Sequence, residues 1–200
     1  MRAAVVIPVK SFTVAKGRLA GALTPSARAD LARRCAENVV GAAHPLPVFV
    51  VCDDDHIEAW AESHGARTVR CATPGLDAAV AAGRAAAHAA GFDHVIVAHA
   101  DLPLASHLDH VAVEGAVSLV PDRHRDGTNV LAFPVDSPFT TAYGPGSFQN
   151  HVLIARRVGM ETVVIDDPSL ALDLDTVDDL DELERRTDSR DCSPQKETPT

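Results

Sequence analysis

Ala3-Ala4-Val5-Val6-Ile7-Pro8 followed by Val9-Lys10 opens the chain with a short apolar run that shows no polar alternation. Such a run fits a strand covered on both faces, as strands inside parallel sheets are. Working outward, strand-like and helix-like stretches alternate. Thr24-Pro25 supplies an N-cap and a proline for the first helical turn, so a helix is predicted from Pro25 to about Ala43. Val48 to Cys52 is a second buried strand, and Asp53-Asp54-Asp55 can cap a helix from His56 to His64. Ala66 to Arg70 is a third strand. Leu76 to Ala90 is an alanine-rich helix by propensity, and His94 to Ala98 a fourth strand.

This alternation gives the fold class: an α/β, three-layer (Rossmann-like) architecture with a mostly parallel sheet and helices on both faces. Ligands of such sheets bind beyond the carboxyl ends of the strands. The loops Lys10 to Arg18, Cys71 to Gly75 and Ala100 to Pro103 each follow a predicted strand, so they are expected to gather at one edge. The second half is less regular. It holds predicted strands Val117 to Val120, Thr128 to Phe133 and Glu161 to Ile165, and a helix from Phe148 to about Val158. An extended segment Leu170 to Leu174 leads to Thr176, which caps a last helix ending near Arg186. One domain over residues 1–186 is expected, with a disordered polar tail over 187–200, which lacks aliphatic residues.

Composition excludes several classes of function. Apolar residues make up 46% of the chain and aromatics only 4%, so the core is one of Ala, Val and Leu. No apolar run approaches the roughly 20 residues that span a bilayer. Lys10 interrupts the N-terminal run too early for a secretory signal, which makes a cytoplasmic protein the expectation. Cys35, Cys52, Cys71 and Cys192 are scattered without a CxxC pair, against zinc and against a disulfide framework. A net charge of −10 would repel a nucleic-acid backbone. Yet residues 1–34 carry seven Lys or Arg against Asp30 alone, which points to a local anion site.

The loop after the first strand sets Lys10, Lys16 and Arg18 close together, a combination that suits a polyphosphate or, more plainly, a solvated basic loop. Neither GxxxxGK[ST] nor GxGxxG occurs. Asp101 follows a buried strand, and Asp173 and Asp175 are two apart in an extended segment, so they can face one ion. Such acids, with phosphate and water oxygens in the open positions, describe a magnesium site; each alone could be a turn or cap residue. Gly144-Pro145-Gly146-Ser147 opens a helix whose free N–H groups form an anion site or an ordinary turn, and Thr128 and Asn129 could donate to the same anion. The ten histidines show no ligand or base spacing, and none receives a role. Ser147 lacks a nucleophile-elbow pattern.

With these residues collected, the chain resembles the 2-phospho-L-lactate or phosphoenolpyruvate guanylyltransferase family of coenzyme F420 biosynthesis. The resemblance runs from residue 3 to residue 183. It rests on Ile7-Pro8-Val9-Lys10 with Ala15-Lys16 and Arg18-Leu19, and on Pro74-Gly75-Leu76 and Ala100-Asp101-Leu102-Pro103. Further along, it rests on Pro121-Asp122-Arg123 with Asp126-Gly127-Thr128-Asn129, on Gly144-Pro145 with Ser147, and on Asp173-Leu174-Asp175-Thr176. The chain departs from the commoner family pattern at Ser11-Phe12 and at Gly17 but keeps all three cations.

The resemblance implies a nucleotidyltransferase-like α/β fold and GMP transfer from GTP to a small phosphorylated carboxylic acid, with Mg2+ as cofactor. By matching position, Pro8, Lys10, Lys16 and Arg18 would hold the triphosphate, and Thr73, Pro74, Gly75 and Leu76 would lie near guanine and ribose. Asp101, Asp173 and Asp175 would hold the metal. Thr128, Asn129, Gly144 and Ser147 would grip the acceptor, and the catalytic set would be Lys10, Lys16, Arg18 and Asp101. A homodimer and hand-off of product to the next enzyme of the pathway are compatible with this reading. Two alternatives stand beside it: a nucleotidyltransferase using CTP or GTP on a sugar phosphate or pterin, and a non-catalytic nucleotide-binding module.

Overall fold

A computed structural model describes residues 1–191. Its seven-stranded sheet has the order β3-β2-β1-β4-β6-β5-β7. The first four strands are β1 (Ala3–Pro8), β2 (Val48–Cys52), β3 (Arg67–Arg70) and β4 (His94–Ala98). They run parallel, with α1 (Pro25–Ala42), α2 (Asp55–Ser63) and α3 (Leu76–Ala89) as their connections. Thr24 caps α1 as expected, its hydroxyl accepting from Ala27 N at 3.2 Å, a contact worth about 1 kcal/mol.

Beyond β4 the direction reverses. β6 (Thr128–Pro134) is antiparallel to both β4 and β5 (Val117–Pro121), and β7 (Thr162–Val164) is parallel to β5. The last helices are α4 (Ser147–Arg157) and α5 (Val177–Asp191). Helix α5 therefore continues past the expected end at Arg186 and takes in the start of the expected tail. The Thr187 hydroxyl bonds back to the Leu183 and Glu184 carbonyls, and a solvated helix needs no aliphatic residue to go on. The rest of the expected tail, 192–200, lies outside the described residues. Leu170 to Leu174 does not join the sheet. Its leucines at 170, 172 and 174 are nonetheless fully buried, so Asp173 and Asp175 fall on the opposite face.

Side-chain alternation divides the core in two. Val5, Ile7, Val50, Ile96 and Ala98 pack on the face carrying α1 and α2. Ala4, Val6, Phe49, Val51, Val95 and Val97 pack with residues of α3 and α4 on the other. Helix α3 approaches so closely that a Cβ on Gly83 would stand 2.3 Å from Val6 Cγ1 and 3.0 Å from Val51 Cγ2. Among the described residues, no helix is long and apolar enough to cross a membrane. The chain order runs β1 to β3 in one direction and jumps back to β4, which lies against β1. This reversal between β1 and β4 opens a crevice at their carboxyl ends.

Candidate active site

A cavity of about 730 Å³ fills that crevice. Its lining takes Pro8 to Phe12 and Val14 to Lys16 from the segment after β1, and Cys52 to Asp54 from the end of β2. Cys71 and Thr73 to Leu76 come from the turn into α3, and His99 to Asp101 from the end of β4. The three suspect loops do meet at one edge.

Lys16 is the centre of charge. Its ammonium donates to Asp101 Oδ2 at 2.6 Å and to Asp175 Oδ1 at 3.4 Å, and only 6% of its side chain is exposed. Burial works to lower its pKa, but the Asp101 and Asp175 charges outweigh that and hold it above the ordinary lysine value. Asp101 mirrors this: burial pushes its carboxyl up, Lys16 and His99 pull harder the other way, and the result is below the usual value. The backbone of Lys16 adopts the left-handed conformation, φ 58° and ψ 38°. In a lysine this costs of order 1–3 kcal/mol and is kept where surrounding structure enforces it. Arg18 lies outside the cavity lining, 77% exposed, with Nη1 3.6 Å from Asp175 Oδ2.

The acids are positioned from three sides. The Asp101 carbonyl accepts from Leu174 N at 3.1 Å, which fastens the Asp173-Leu174-Asp175 segment to the end of β4. Asp179 in the first turn of α5 reaches back to the segment before it, its Oδ2 accepting from Asp175 N, Thr176 N and the Thr176 hydroxyl while Oδ1 accepts from Arg123. Asn129 donates to the Leu170 carbonyl at 3.0 Å and to Asp173 Oδ1 at 3.4 Å. Asn38 on α1 donates to the carbonyls of Leu102, Pro103 and Ala105, which pins the turn after Asp101.

Among the described residues no three His, Cys, Asp or Glu form a ready-made metal cage. The ammonium of Lys16, lying within reach of both Asp101 and Asp175, supplies positive charge there instead. Two observations nevertheless fit a hard cation. Asp101 Oδ1 is buried without a hydrogen-bond partner. Burial and then the Asp101 charge, with a smaller push from Asp175, raise the pKa of Asp173, so an added positive charge would be welcome there. One or two carboxylates with phosphate oxygens are what magnesium commonly accepts.

The other residues singled out in the sequence divide cleanly. Pro8, Lys10, Thr73, Pro74, Gly75 and Leu76 all line the cavity, Gly75 at φ 107°. Thr128, Asn129, Gly144 and Ser147 do not. Thr128 is fully buried with its hydroxyl 3.0 Å from His151 Nδ1, and Asn129 braces the acidic segment. Ser147 is 3% exposed, and the start of α4 already has an internal acceptor in place of an external anion: Gly146 N donates to Asp126 Oδ2 and Phe148 N to the Asp126 carbonyl. Sequence reasoning missed Asn38 and gave Asp53 and Asp54 only a capping role. Asp54 does cap α2, and both acids also line the cavity. Their place directly after a buried strand was the signal.

Known proteins resemble the chain in sequence and in fold. The chain is 37% identical to a phosphoenolpyruvate guanylyltransferase of Rubrobacter xylanophilus, over 90% of this chain and 92% of that protein. It is 32% identical to a 2-phospho-L-lactate guanylyltransferase of Methanothermobacter thermautotrophicus, over 92% and 84% respectively. In fold it is similar to the crystal structure of a protein from Desulfovibrio desulfuricans G20 described as a nucleotide-diphospho-sugar transferase. There the TM-score is 0.75 at 18% identity, with 93% of this chain and 87% of that one covered. The model of the family described as guanylyl transferase CofC like matches residues 3–190, and the chain belongs to that family.

Proposed function

We propose that this chain transfers a guanylyl group from GTP to the phosphate of phosphoenolpyruvate and releases pyrophosphate, with magnesium as cofactor, as a cytoplasmic step in making coenzyme F420. The observation that carries the reading is the convergence of Lys10, Lys16 and Asp101 on one cavity at the reversal point of the sheet. In the reaction a phosphate oxygen of the acceptor attacks the α-phosphorus of GTP, and the bond to the bridging oxygen of pyrophosphate breaks. A phosphate monoester is already anionic near neutral pH, so no strong base is needed. That suits a cavity whose charged side chains are lysines and aspartates.

The work left to the protein is positioning and charge stabilisation. Lys10 and Lys16 face the cavity and offset negative charge on the triphosphate, and Arg18, exposed beside Asp175, adds its charge from outside the lining. Asp101, Asp173 and Asp175 would hold magnesium, which when bound lowers the repulsion between two anionic reactants. Lys16 must then exchange its aspartates for phosphate oxygens.

GTP consumption with phosphoenolpyruvate, 2-phospho-L-lactate and 3-phosphoglycerate in turn, with the product identified by mass, tests the proposal. A guanylyl–phosphoenolpyruvate adduct is expected. Pyrophosphate release with CTP alone, or GTP binding without release for any acceptor, would refute it.

A further inference from the structure

Two buried polar atoms have no hydrogen-bond partner among the described residues: Nε2 of His99, a residue of the cavity lining, and the hydroxyl of Tyr143, which stands behind that lining. Their rings lie 5.5 Å apart, centroid to centroid. His99 lines the cavity two residues before Asp101. Buried polar groups are nearly always hydrogen-bonded, so two neighbouring exceptions, one of them on a cavity-lining residue, call for an explanation.

Neither ring is poorly placed by accident, because Tyr143 is held from several directions. Its backbone N donates to Asp77 Oδ1 at 3.1 Å, and its ring meets His151 at 4.9 Å in an edge-to-face contact. His151 is fixed in turn. Ala142 N–H is a donor, so His151 Nε2 accepts from it at 3.0 Å. The remaining proton then sits on Nδ1 and is donated to the Thr128 hydroxyl at 3.0 Å. Burial, with Asp77 adding to it, raises the Tyr143 pKa, so the hydroxyl keeps its proton and remains a donor.

Direction supplies the second half of the argument. With the triphosphate on Lys10 and Lys16, the body of the nucleotide extends along the β1–β2–β3 side, where Cys71 to Leu76 form the wall. In-line displacement at the α-phosphorus brings the acceptor in opposite to the leaving pyrophosphate. The β4–β6 side remains for it, and His99 stands there, its backbone N bonded to the Asn129 carbonyl of β6.

We propose that His99 Nε2 and the Tyr143 hydroxyl seat the carboxylate of the acceptor, each donating one hydrogen bond to it. The proposal rests on the guanylyl-transfer reading above and narrows it to phosphorylated acids. A phosphorylated alcohol or sugar would leave both donors unpaired, and a site built to hydrogen-bond a group strongly rejects molecules that lack it.

The test is steady-state kinetics of Tyr143→Phe, His99→Leu and His99→Gln, with acceptor and GTP varied separately and thermal melting recorded alongside. Tyr143→Phe and His99→Leu are each expected to raise the acceptor KM by about tenfold or more while changing the GTP KM by less than about twofold. His99→Gln, which keeps an N–H donor, should recover part of the loss. Tyr143→Phe removes an unpaired buried hydroxyl, so it should melt at or above the temperature of the unaltered chain, which a purely structural role for the tyrosine would not allow. Acceptor KM unchanged in both variants, or acceptor and GTP KM rising together, overturns the assignment. If the unaltered chain makes no guanylyl product with any of the three acids, the underlying reading fails and this one falls with it.

Discussion

Two walls of the fold, only the first of which lines the cavity, are built on opposite plans. The wall of β1, β2 and β3 with α1 and α3 is made of parallel strands joined by helices, and its charged groups (Lys10, Lys16, Asp53, Asp54) follow the ends of strands and open onto the cavity. The wall of β6 and α4 is antiparallel, and its polar groups are turned on one another: Thr128 with His151, Asp126 with the start of α4, Asn129 with Asp173. One wall keeps its charges available for a ligand, while the other spends most of its polar groups on its own rigidity. Asp101 stands at the seam between them, bonded to Lys16 by its side chain and to Leu174 by its carbonyl. The difference teaches that polar residues of one type and spacing serve opposite ends according to whether a strand end or a packed helix receives them.

The largest effect should come from removing the seam. Asp101→Ala is expected to lower turnover by roughly a hundredfold or more, about 3 kcal/mol of transition-state stabilisation, while unfolding stays cooperative. Retention of near-normal turnover at saturating magnesium would show that the carboxylate is only Lys16's structural partner. A smaller effect, confined to stability, should follow from Gly83→Ala on the first wall. The new methyl would overlap Val6 and Val51, and the overpacking cost of about 1–3 kcal/mol is only partly offset by better helix propensity, worth about 1 kcal/mol. A net loss of up to about 2 kcal/mol in denaturant unfolding is expected; a gain would mean that α3 is free to move away from the sheet.

The same contrast explains what the sequence made legible. Strand and helix spans of the first half follow directly from apolar runs, caps and alanine content, because buried parallel strands and long helices carry strong local patterns. The convergence of Lys10, Thr73 to Leu76 and Asp101 followed from one topological rule, since each lies beyond a strand end. Nothing local announced that Asp126 would fill the start of α4, or that Thr128 would face His151, because those pairings join residues about twenty apart across a turn. Nor did sequence spacing single out His99 and Tyr143, whose meaning lies in what they fail to touch. The alternation of leucine and aspartate from Leu170 to Asp175 did show which side chains face the acidic cluster, although the segment is not a strand.

Acid sensitivity would sharpen the comparison from the second wall. Burial pushes the His151 pKa down from 6.5 to about 4, with Asp77 opposing and His99 assisting. The unfolded chain therefore binds a proton at this site at a higher pH than the folded one. The folded state gains most above pH 6.5, and the gain is lost as pH falls from 6.5 toward about 4. Between pH 7 and pH 5.5 the loss should amount to about 1 kcal/mol. His151→Gln cannot titrate, so its unfolding free energy should fall less than that of the unaltered chain over the same interval. If both chains show the same slope, His151 takes up its proton in the folded state as readily as in the unfolded one. Its bond from Ala142 N would then be lost by pH 5.5, and the rigidity assigned to this wall would have to come from elsewhere.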